Sequence, residues 1–286
     1  MEQVDKQTVE HESSGGREGA SARAVSGGRQ QSTGTLGKAL EVLDVIAQAD
    51  SPPRFTDLLG LVEQPRGTLH RQLSNLIAEG LVDINADHSY VPGIRLLKLS
   101  AKSWSKNSFR VLAEPHVRNL HELTGETVHL GLLNGQEVIY LDKIESKQTV
   151  RMHSQVGNAS PLYCTGVGKA MLALLPQDQC VELISQIKYI RHTEHTLYTP
   201  ELLRADIEKI RASGIAYDRE EHEPGIRCVA AGVRSLETGI IAGISVTGPA
   251  FRIDETSIAQ WEPLVQQTAR EIEEDLEAKL GPRSNE

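Results

Sequence analysis

Aromatic side chains and cysteines are scarce in this chain, and long apolar runs are missing. Aromatic residues make up 4% of the sequence, so the cores must be built from aliphatic side chains. The cysteines are odd in number and form no C-x-x-C pair, which argues against a disulfide framework and a cysteine-based zinc site: Cys164, Cys180 and Cys228. No run approaches the roughly eighteen apolar residues that cross a bilayer, and the polar N-terminus lacks the apolar segment of a secretion signal. We therefore expect a cytoplasmic protein with reduced thiols.

Length and charge set the next limits. A chain of 286 residues favours two domains, each with its own core. The formal net charge of -9 argues against a protein that coats itself with nucleic acid. From Leu36 to Arg110, however, nine Lys and Arg residues stand against eight Asp and Glu residues, so the acidic excess lies elsewhere. The composition therefore still allows a local DNA-contacting face in this region.

The first third of the chain is typical of a polar tail followed by a winged helix-turn-helix. Residues 1–33 are rich in Gly, Ser, Gln and Glu and cannot bury enough apolar surface to order, which predicts a disordered tail. Within residues 34–93, apolar spacing predicts a first helix ending near Asp50, a short second helix and a third helix after Gln64. The segment GLVDINADHSYVPG then predicts a two-stranded hairpin. Three helices followed by such a ribbon form a winged helix-turn-helix.

Helix and strand patterns continue through the rest of the chain. Apolar residues spaced by three and four predict one linker helix over residues 94–112. Residues 113–282 combine helical segments with strand-like runs, among them ETVHLGLL and EVIYLDKI around an Asn-Gly turn. Strands joined by hairpins and flanked by helices predict an antiparallel α+β domain.

The segment QPRGTLHRQL is the candidate recognition helix, because it is basic and contains no acidic residue. Polar side chains at the start of such a helix reach base edges, while arginines and backbone N–H groups contact phosphates. We predict DNA contacts from this helix and from the tip of the hairpin: Arg66, Gly67, Thr68, His70, Arg71, Gln72, His88 and Ser89. The same residues are also consistent with a three-helix module that has a solvated basic face.

The N-terminal half resembles the DNA-binding half of the IclR family of transcriptional regulators. That family typically has a T-x-L-x helix, then P-x-x-T-x-H-R-L-L and a G-[LFY]-V entry to the wing; this chain has TDLL, PRGTLHRQL and GLV. One difference lies in the turn before the recognition helix, where the family usually has Gly-Leu and this chain has Glu63-Gln64. Glycine tolerates positive φ and Glu does not, so we expect a turn of different shape.

The second half carries three further blocks of the same family, PLYCTGVGKAMLA, YDREEHEPGIRCVAAGV and AGISVTGPAFR. The resemblance implies a GAF-like effector-binding domain, whose relatives bind glyoxylate, pyruvate or related acids. It implies these effector-binding residues: Gly166, Val167, Asp218, Ile226, Cys228, Ser245 and Thr247, with Arg151 at the border of the pocket. Neighbouring blocks look most like the ketodeoxygluconate-responsive members of the family. A sugar acid is therefore the first effector that the resemblance implies, followed by short 2-oxo acids and aromatic acids.

The chemistry of these residues suits a carboxylate. Gly166 opens the segment GVGKAMLALL, and the N–H groups and dipole at the start of a helix favour an anion. Ser245 and Thr247 are two apart on one predicted strand, so both hydroxyls face the same side. Most of these residues also have an ordinary structural explanation. Ser-x-Thr is common in strands, a buried Cys is usually a small hydrophobe, and Asp218 equally suits a turn or a partner for a neighbouring arginine.

Motifs of catalysis and metal binding are missing. His192 and His195 form an H-x-x-H pair, but no helix pattern places both on one face. The sequence also lacks the G-x-S-x-G elbow and the Walker and Rossmann glycine patterns. We therefore predict no catalytic residue, no metal and no cofactor.

These observations and the resemblance together predict a regulator that responds to a ligand. We expect a repressor of a carbon-catabolism operon that binds double-stranded operator DNA as a homodimer or homotetramer and senses a small carboxylate. The alternative is a metabolite-binding or enzymatic domain whose N-terminal half does not bind DNA.

Overall fold

The computed structural model describes residues 34–149 and 154–280. Internal contacts divide the chain into two compact units, with the boundary between Leu97 and Lys98. Within the described ranges, no helix is long and apolar enough to cross a membrane. The tail expected at residues 1–33 and the pocket candidate Arg151 lie outside the described residues.

The first unit contains three helices and a short antiparallel hairpin. Its elements are α1 (Gly34–Gln48), α2 (Phe55–Leu61), α3 (Arg66–Ala78), β1 (Val82–Ile84) and β2 (Tyr90–Pro92). Its buried core consists of aliphatic side chains only: Ala39, Val42, Leu43, Ile46, Leu58, Val62, Leu69, Leu73, Leu76 and Val82. The predicted winged helix-turn-helix is therefore confirmed.

The turn between α2 and α3 is held by a buried side chain. Gln64 Nε2 donates hydrogen bonds to the backbone oxygen of Lys38 at 3.0 Å and to Glu41 Oε2 at 3.1 Å, both on α1. Among the described non-glycine residues, only His88 and Glu220 have positive φ. Glu63-Gln64 therefore turns the chain without the left-handed backbone that would favour glycine, and the side chain of Gln64 ties the turn to α1.

The prediction of a single linker helix over residues 94–112 is wrong, because two helices occupy this region. They are α4 (Ile94–Ser105) and α5 (Ser108–Thr124). Asn107 lies between them with extended backbone, and its Oδ1 accepts a hydrogen bond from the backbone N–H of Arg110 at 2.9 Å. This side chain caps α5, and an N-cap residue has non-helical backbone, so α4 and α5 do not form one rod.

The second unit is built on a six-stranded sheet with four further helices. The strands are β3 (Thr127–Asn134), β4 (Glu137–Ile144), β5 (Ala159–Pro161), β6 (Ala216–Arg219), β7 (Ile226–Arg234) and β8 (Ile241–Pro249). The helices are α6 (Gly166–Leu174), α7 (Gln177–Gln186), α8 (Pro200–Ser213) and α9 (Glu255–Leu280). The sheet order is β5-β4-β3-β8-β7-β6, and every neighbouring pair is antiparallel. The predicted antiparallel α+β fold is confirmed, with two short strands, β5 and β6, that the sequence patterns did not predict.

The sheet separates two hydrophobic cores. Along β8, Ile244 and Val246 pack into the core that includes α5 and α9. The core on the other side includes α6, α7 and α8 together with Ala230 of β7. Successive strand residues point to opposite faces, so Ser245 and Thr247 point to the side of α6. This alternation places polar side chains next to the start of that helix.

Candidate effector pocket and DNA-contacting helix

A small cavity lies where the start of α6 meets the sheet. Thirteen residues line it: His129, Tyr140, Ser154, Thr165, Gly166, Val167, Asp218, His222, Glu223, Ile226, Cys228, Ser245 and Thr247. All of the effector-binding candidates that lie among the described residues are in this set. Their part in binding a ligand stays a prediction, but the fold does bring them together from four separate elements and the loops beside them.

The start of α6 forms one wall of the cavity. Thr165 caps the helix, because its hydroxyl oxygen accepts a hydrogen bond from the backbone N–H of Gly168 at 3.2 Å. The same hydroxyl donates to the backbone oxygen of Pro161 at 2.7 Å. The first N–H groups of a helix have no partner within it, and they carry the positive end of the helix dipole. This wall is therefore suited to an anion.

The helix start comes very close to β7. A Cβ atom at Gly166 would lie 2.4 Å from Cys228 Sγ and 3.3 Å from the Cβ of Ala230. Both neighbours are buried. Only glycine lets the backbone of the helix start come this close to the sheet.

We expect Gly166→Ala to lower the free energy of unfolding by about 1–3 kcal/mol, because the added methyl group overpacks the contact with Cys228. Urea denaturation of the purified protein measures this change. The matched control is Gly60→Ala in α2, where an added Cβ meets nothing within 4 Å and stability should stay equal or rise slightly. Equal unfolding midpoints for Gly166→Ala and the unsubstituted protein would contradict the close contact.

Two hydroxyls on β8 form the second wall. Ser245 Oγ and Thr247 Oγ1 lie 3.3 Å apart, within hydrogen-bond distance of each other. In the sheet register, Cys228 pairs with Thr247, and His129 pairs with Ser245 from the other neighbouring strand. Each hydroxyl has one hydrogen to donate. One of these hydrogens is used while the hydroxyls bond to each other, and both become donors beside the helix start when the hydroxyls turn toward a ligand.

Asp218, on β6, contributes a buried carboxyl group to the lining of the cavity. Its Oδ1 accepts a hydrogen bond from the backbone N–H of Glu221 at 2.7 Å. Burial, with the nearby charge of Glu221, raises the pKa of Asp218 to about 7. Near neutral pH this side chain is therefore present in both forms, and its protonated form can donate a hydrogen bond to an anion.

A buried lysine lies behind Asp218. Lys169 Nζ is 2.6 Å from Glu221 Oε1 and 2.9 Å from Asp206 Oδ2, and the lysine is almost fully buried. Burial alone would lower the pKa of Lys169, but the charges of Glu221 and Asp206 outweigh it and raise that pKa. The network holds the loop after β6 against α6, and with it the wall that contains Asp218.

Sequence reasoning missed six lining residues: His129, Tyr140, Ser154, Thr165, His222 and Glu223. His129 Nε2 lies 2.7 Å from Ser154 Oγ, and its ring packs on Tyr140 with centroids 4.8 Å apart. Burial lowers the pKa of His129 to about 3, so the ring is neutral at physiological pH. Alternation along β3 indicates that Thr127 and His129 share one face of the strand, but the place of His129 beside Ser245 follows only from the strand pairing. His222 and Glu223 belong to the charged run EEHE, for which the sequence predicts a loop beside the pocket but no contact with the ligand.

In the first unit, α3 presents the polar face predicted for DNA. Arg66, Gly67, His70 and Arg71 are exposed, and Thr68 is half-buried. The Arg66 guanidinium lies 5.2 Å from the ring centroid of Phe55, and the His70 ring lies 6.2 Å from the same ring. The ring of Phe55 therefore packs against two of the predicted contact residues, Arg66 and His70.

Two of the predicted DNA contacts are wrong. Gln72 is 1% exposed and Ser89 is 3% exposed, so neither side chain can reach a base or a phosphate. Gln72 lies on the core face of α3, and Ser89 Oγ donates to Asp87 Oδ1 at 2.6 Å within the hairpin. His88, by contrast, is exposed at the tip of the hairpin with φ of 63°.

Family comparisons match both halves of the chain. The family described as the IclR helix-turn-helix domain matches residues 35–84. The family described as the bacterial transcriptional regulator IclR C-terminal domain matches residues 101–274. The second match covers more than half of the chain and contains the cavity.

Individual proteins agree with these families. The chain is 33% identical over 258 residues to the HTH-type transcriptional regulator BhcR of Paracoccus denitrificans (strain Pd 1222), covering 90% of this chain and 91% of BhcR. It is 31% identical over 219 residues to the HTH-type transcriptional regulator KdgR of Escherichia coli (strain K12), covering 76% and 83%. The crystal structure of Thermotoga maritima IclR matches with a TM-score of 0.64 and 32% identity, covering 85% of this chain and 98% of that one. BhcR and KdgR are almost equally similar, so identity does not single out KdgR.

Proposed function

This chain belongs to the IclR family of bacterial transcriptional regulators, and from this premise we propose that it is a repressor whose affinity for operator DNA changes when a small carboxylate binds in the cavity. Family membership makes it a DNA-binding regulator and not an enzyme, which sets aside the alternative of an N-terminal half that does not bind DNA. The cytoplasm, where operator DNA lies, is its expected place of action.

The observation that carries the effector class is the joint presence of a helix start and two hydroxyls in one cavity. The helix N-terminus favours negative charge, and Ser245 and Thr247 can donate to the oxygens of a carboxylate. Asp218 in its protonated form would donate beside them.

Cavity size favours a short acid. The cavity has a volume of about 40 Å³. A buried water needs roughly 10–15 Å³ of such space, so this cavity accommodates about three waters. A two- or three-carbon 2-oxo acid therefore requires much less expansion of the cavity than a six-carbon sugar acid. We accordingly prefer a short 2-oxo acid such as glyoxylate or pyruvate, with a sugar acid next.

The proposed mechanism couples two sites through a change of population. A dimer would place two copies of α3 on a palindromic operator, and the effector would stabilise one arrangement of the dimer over another. The ligand can shift DNA binding only by its difference in affinity for the two arrangements. A coupling of roughly 1–3 kcal/mol would change operator affinity about 5- to 150-fold.

The decisive experiment is an electrophoretic mobility shift with the DNA upstream of the gene. Glyoxylate, pyruvate, a sugar acid and an aromatic acid are each titrated into the protein–DNA complex. We expect one acid to change the apparent Kd within the range given above. If no acid changes a specific shift, the carboxylate proposal is wrong, whereas loss of the specific shift itself would count against the operator assignment.

The double substitution Ser245→Ala and Thr247→Val should weaken effector binding by at least about tenfold for each hydrogen bond lost to the carboxylate, while operator affinity without effector stays the same. Isothermal titration calorimetry measures the first quantity and the mobility shift the second. Thr268→Val is the matched control, because this buried hydroxyl in α9 donates to the backbone oxygen of Leu264 on the other side of the sheet. An unchanged effector Kd in the double variant would remove β8 from the site.

A further inference from the structure

Three side chains that can bind a metal converge at the edge of the cavity. They are Cys164, His192 and His222, and their ligand atoms all lie within 4.8 Å of one another. Within residues 34–149 and 154–280 this is the only group of its kind. Cys164 is fully buried, His222 is half-buried and His192 is exposed, so the group reaches from the interior to the surface. His222 also lines the cavity.

The distances suit a zinc ion. Zinc binds sulfur at about 2.3 Å and histidine nitrogen at about 2.0–2.1 Å in tetrahedral geometry. Ligand atoms around such an ion are therefore separated by roughly 3.3–3.6 Å. The observed separations of at most 4.8 Å require shifts of little more than about 1 Å, which rotations of a thiol and two imidazole rings can supply.

The side-chain hydroxyls of Thr196 and Tyr163 hold together the chain segments that carry the three residues. Thr196 Oγ1 accepts from the backbone N–H of His192 at 3.0 Å and donates to the backbone oxygen of Glu221 at 2.7 Å. Tyr163, next to Cys164, donates its hydroxyl to the backbone oxygen of Ile190 at 2.7 Å and accepts from the N–H of the same residue at 2.9 Å. All three ligand segments are therefore fixed to one another without the ligand atoms themselves taking part.

The aromatic surroundings orient the rings. The His192 and His222 rings meet edge to face with centroids 5.1 Å apart, and the Tyr163 ring stacks on His192 at 6.2 Å. Glu223 Oε1 lies 3.8 Å from Nδ1 of His222. This separation is longer than a hydrogen bond, and a small rotation of the ring on metal binding would bring the carboxylate into the outer position from which it orients the imidazole in zinc sites.

From this geometry we propose that Cys164, His192 and His222 form a zinc site with one coordination position open. Three protein ligands and an open fourth position are typical of zinc sites that bind a further molecule. Thiolate and imidazole together favour zinc over magnesium or calcium, which prefer oxygen ligands. This proposal differs from the H-x-x-H pair considered above, because His195 is not in the group.

Metal content of the untagged full-length protein tests the site directly. The protein is stripped with a chelator, reloaded with zinc and dialysed, and zinc per chain is measured by mass spectrometry. Cobalt substitution then reports sulfur ligation through a thiolate-to-cobalt charge-transfer band. We expect one ion per chain, a charge-transfer band, and tighter binding at higher pH because the thiol must lose its proton.

Matched substitutions separate this site from adventitious binding. Cys164→Ser should abolish the charge-transfer band, and Cys180→Ser, which alters another buried cysteine outside the group, should retain it. His192→Gln should weaken zinc binding at least about tenfold, while His195→Gln should leave it unchanged. Because His192 and His195 are both exposed, neither substitution is expected to unfold the protein.

Two results would overturn the proposal. One is a reloaded protein that retains far less than one zinc ion per chain. The other is a cobalt spectrum that Cys164→Ser does not change. Metal binding is measured without DNA or effector, so it stands or fails independently of the regulator function proposed above.

Discussion

Lys169→Met should lower the free energy of unfolding of the second unit by about 3–5 kcal/mol. The substitution keeps most of the side-chain volume but leaves the carboxylate of Glu221, 2.6 Å from Nζ, buried without its cation. Asp206 is only partly buried and can turn toward water, so most of the loss should come from Glu221. Urea denaturation followed by circular dichroism measures the change.

The loss should depend on pH in a defined direction. Burial raises the pKa of Glu221 even in the presence of Lys169, and removing the lysine must raise it further. A carboxyl group whose pKa is higher in the folded state than in the unfolded state favours folding only while it is protonated. The deficit of Lys169→Met should therefore be smaller at about pH 5 than at about pH 8.

Lys279→Met is the control for removing a lysine from an ion pair. Lys279 pairs with Asp275 on the exposed side of α9, with 61% of the lysine side chain accessible, and exposed pairs contribute little to stability. The unfolding midpoint of the Lys279→Met variant should barely change at either pH. A Lys169→Met protein as stable as this control would show that the buried network does not hold the cavity wall.

Arg71→Ala should reduce specific operator affinity about 5- to 150-fold, the range for losing one bidentate base contact, and leave effector affinity unchanged. Arg71 lies on the exposed, acid-free face of α3. If it contacts a base, affinity should fall for the operator and discrimination among mutated operators should relax. If it contacts phosphate, affinity should fall for all sequences and the salt dependence should become shallower.

The control must remove the same charge from another place. Arg204→Ala takes an exposed arginine from α8 in the second unit and gives the same net charge. Operator Kd values from fluorescence anisotropy at two salt concentrations compare the variants. Equal Kd values for Arg71→Ala, Arg204→Ala and the unsubstituted protein would exclude Arg71 from the interface.

Local patterns predicted most of the elements. Helical spacing and the Asn-Gly turn correctly located the helices of the first unit and the hairpin of β3 and β4, because amphipathic periodicity and turn chemistry act over a few residues. The short strands β5 and β6 escaped detection, since three or four residues are too few for alternation to stand out. Gln72 was predicted on the DNA face although it is buried, because residue type does not report which side of a helix faces the core.

The candidate pocket was predicted by resemblance and completed by the fold. Residue spacing could show only that Ser245 and Thr247 share a face. The register of four strands then placed Asp218, Cys228 and Thr247 in one row, with His129 and Ser245 in the next. Pairings between strands distant in the chain depend on sheet order, which local sequence does not encode.

The sequence by itself determined the aliphatic cores, the winged helix-turn-helix, the antiparallel α+β domain and the acid-free recognition helix, because composition, periodicity and turn residues act locally. Only the tertiary structure decided which polar groups meet. It brought Lys169 to Glu221 across 52 residues, and Cys164 to His192 and His222 from three separate segments. Such contacts form between elements far apart in sequence, where each side chain gains a partner only after the sheet and α6 have packed together.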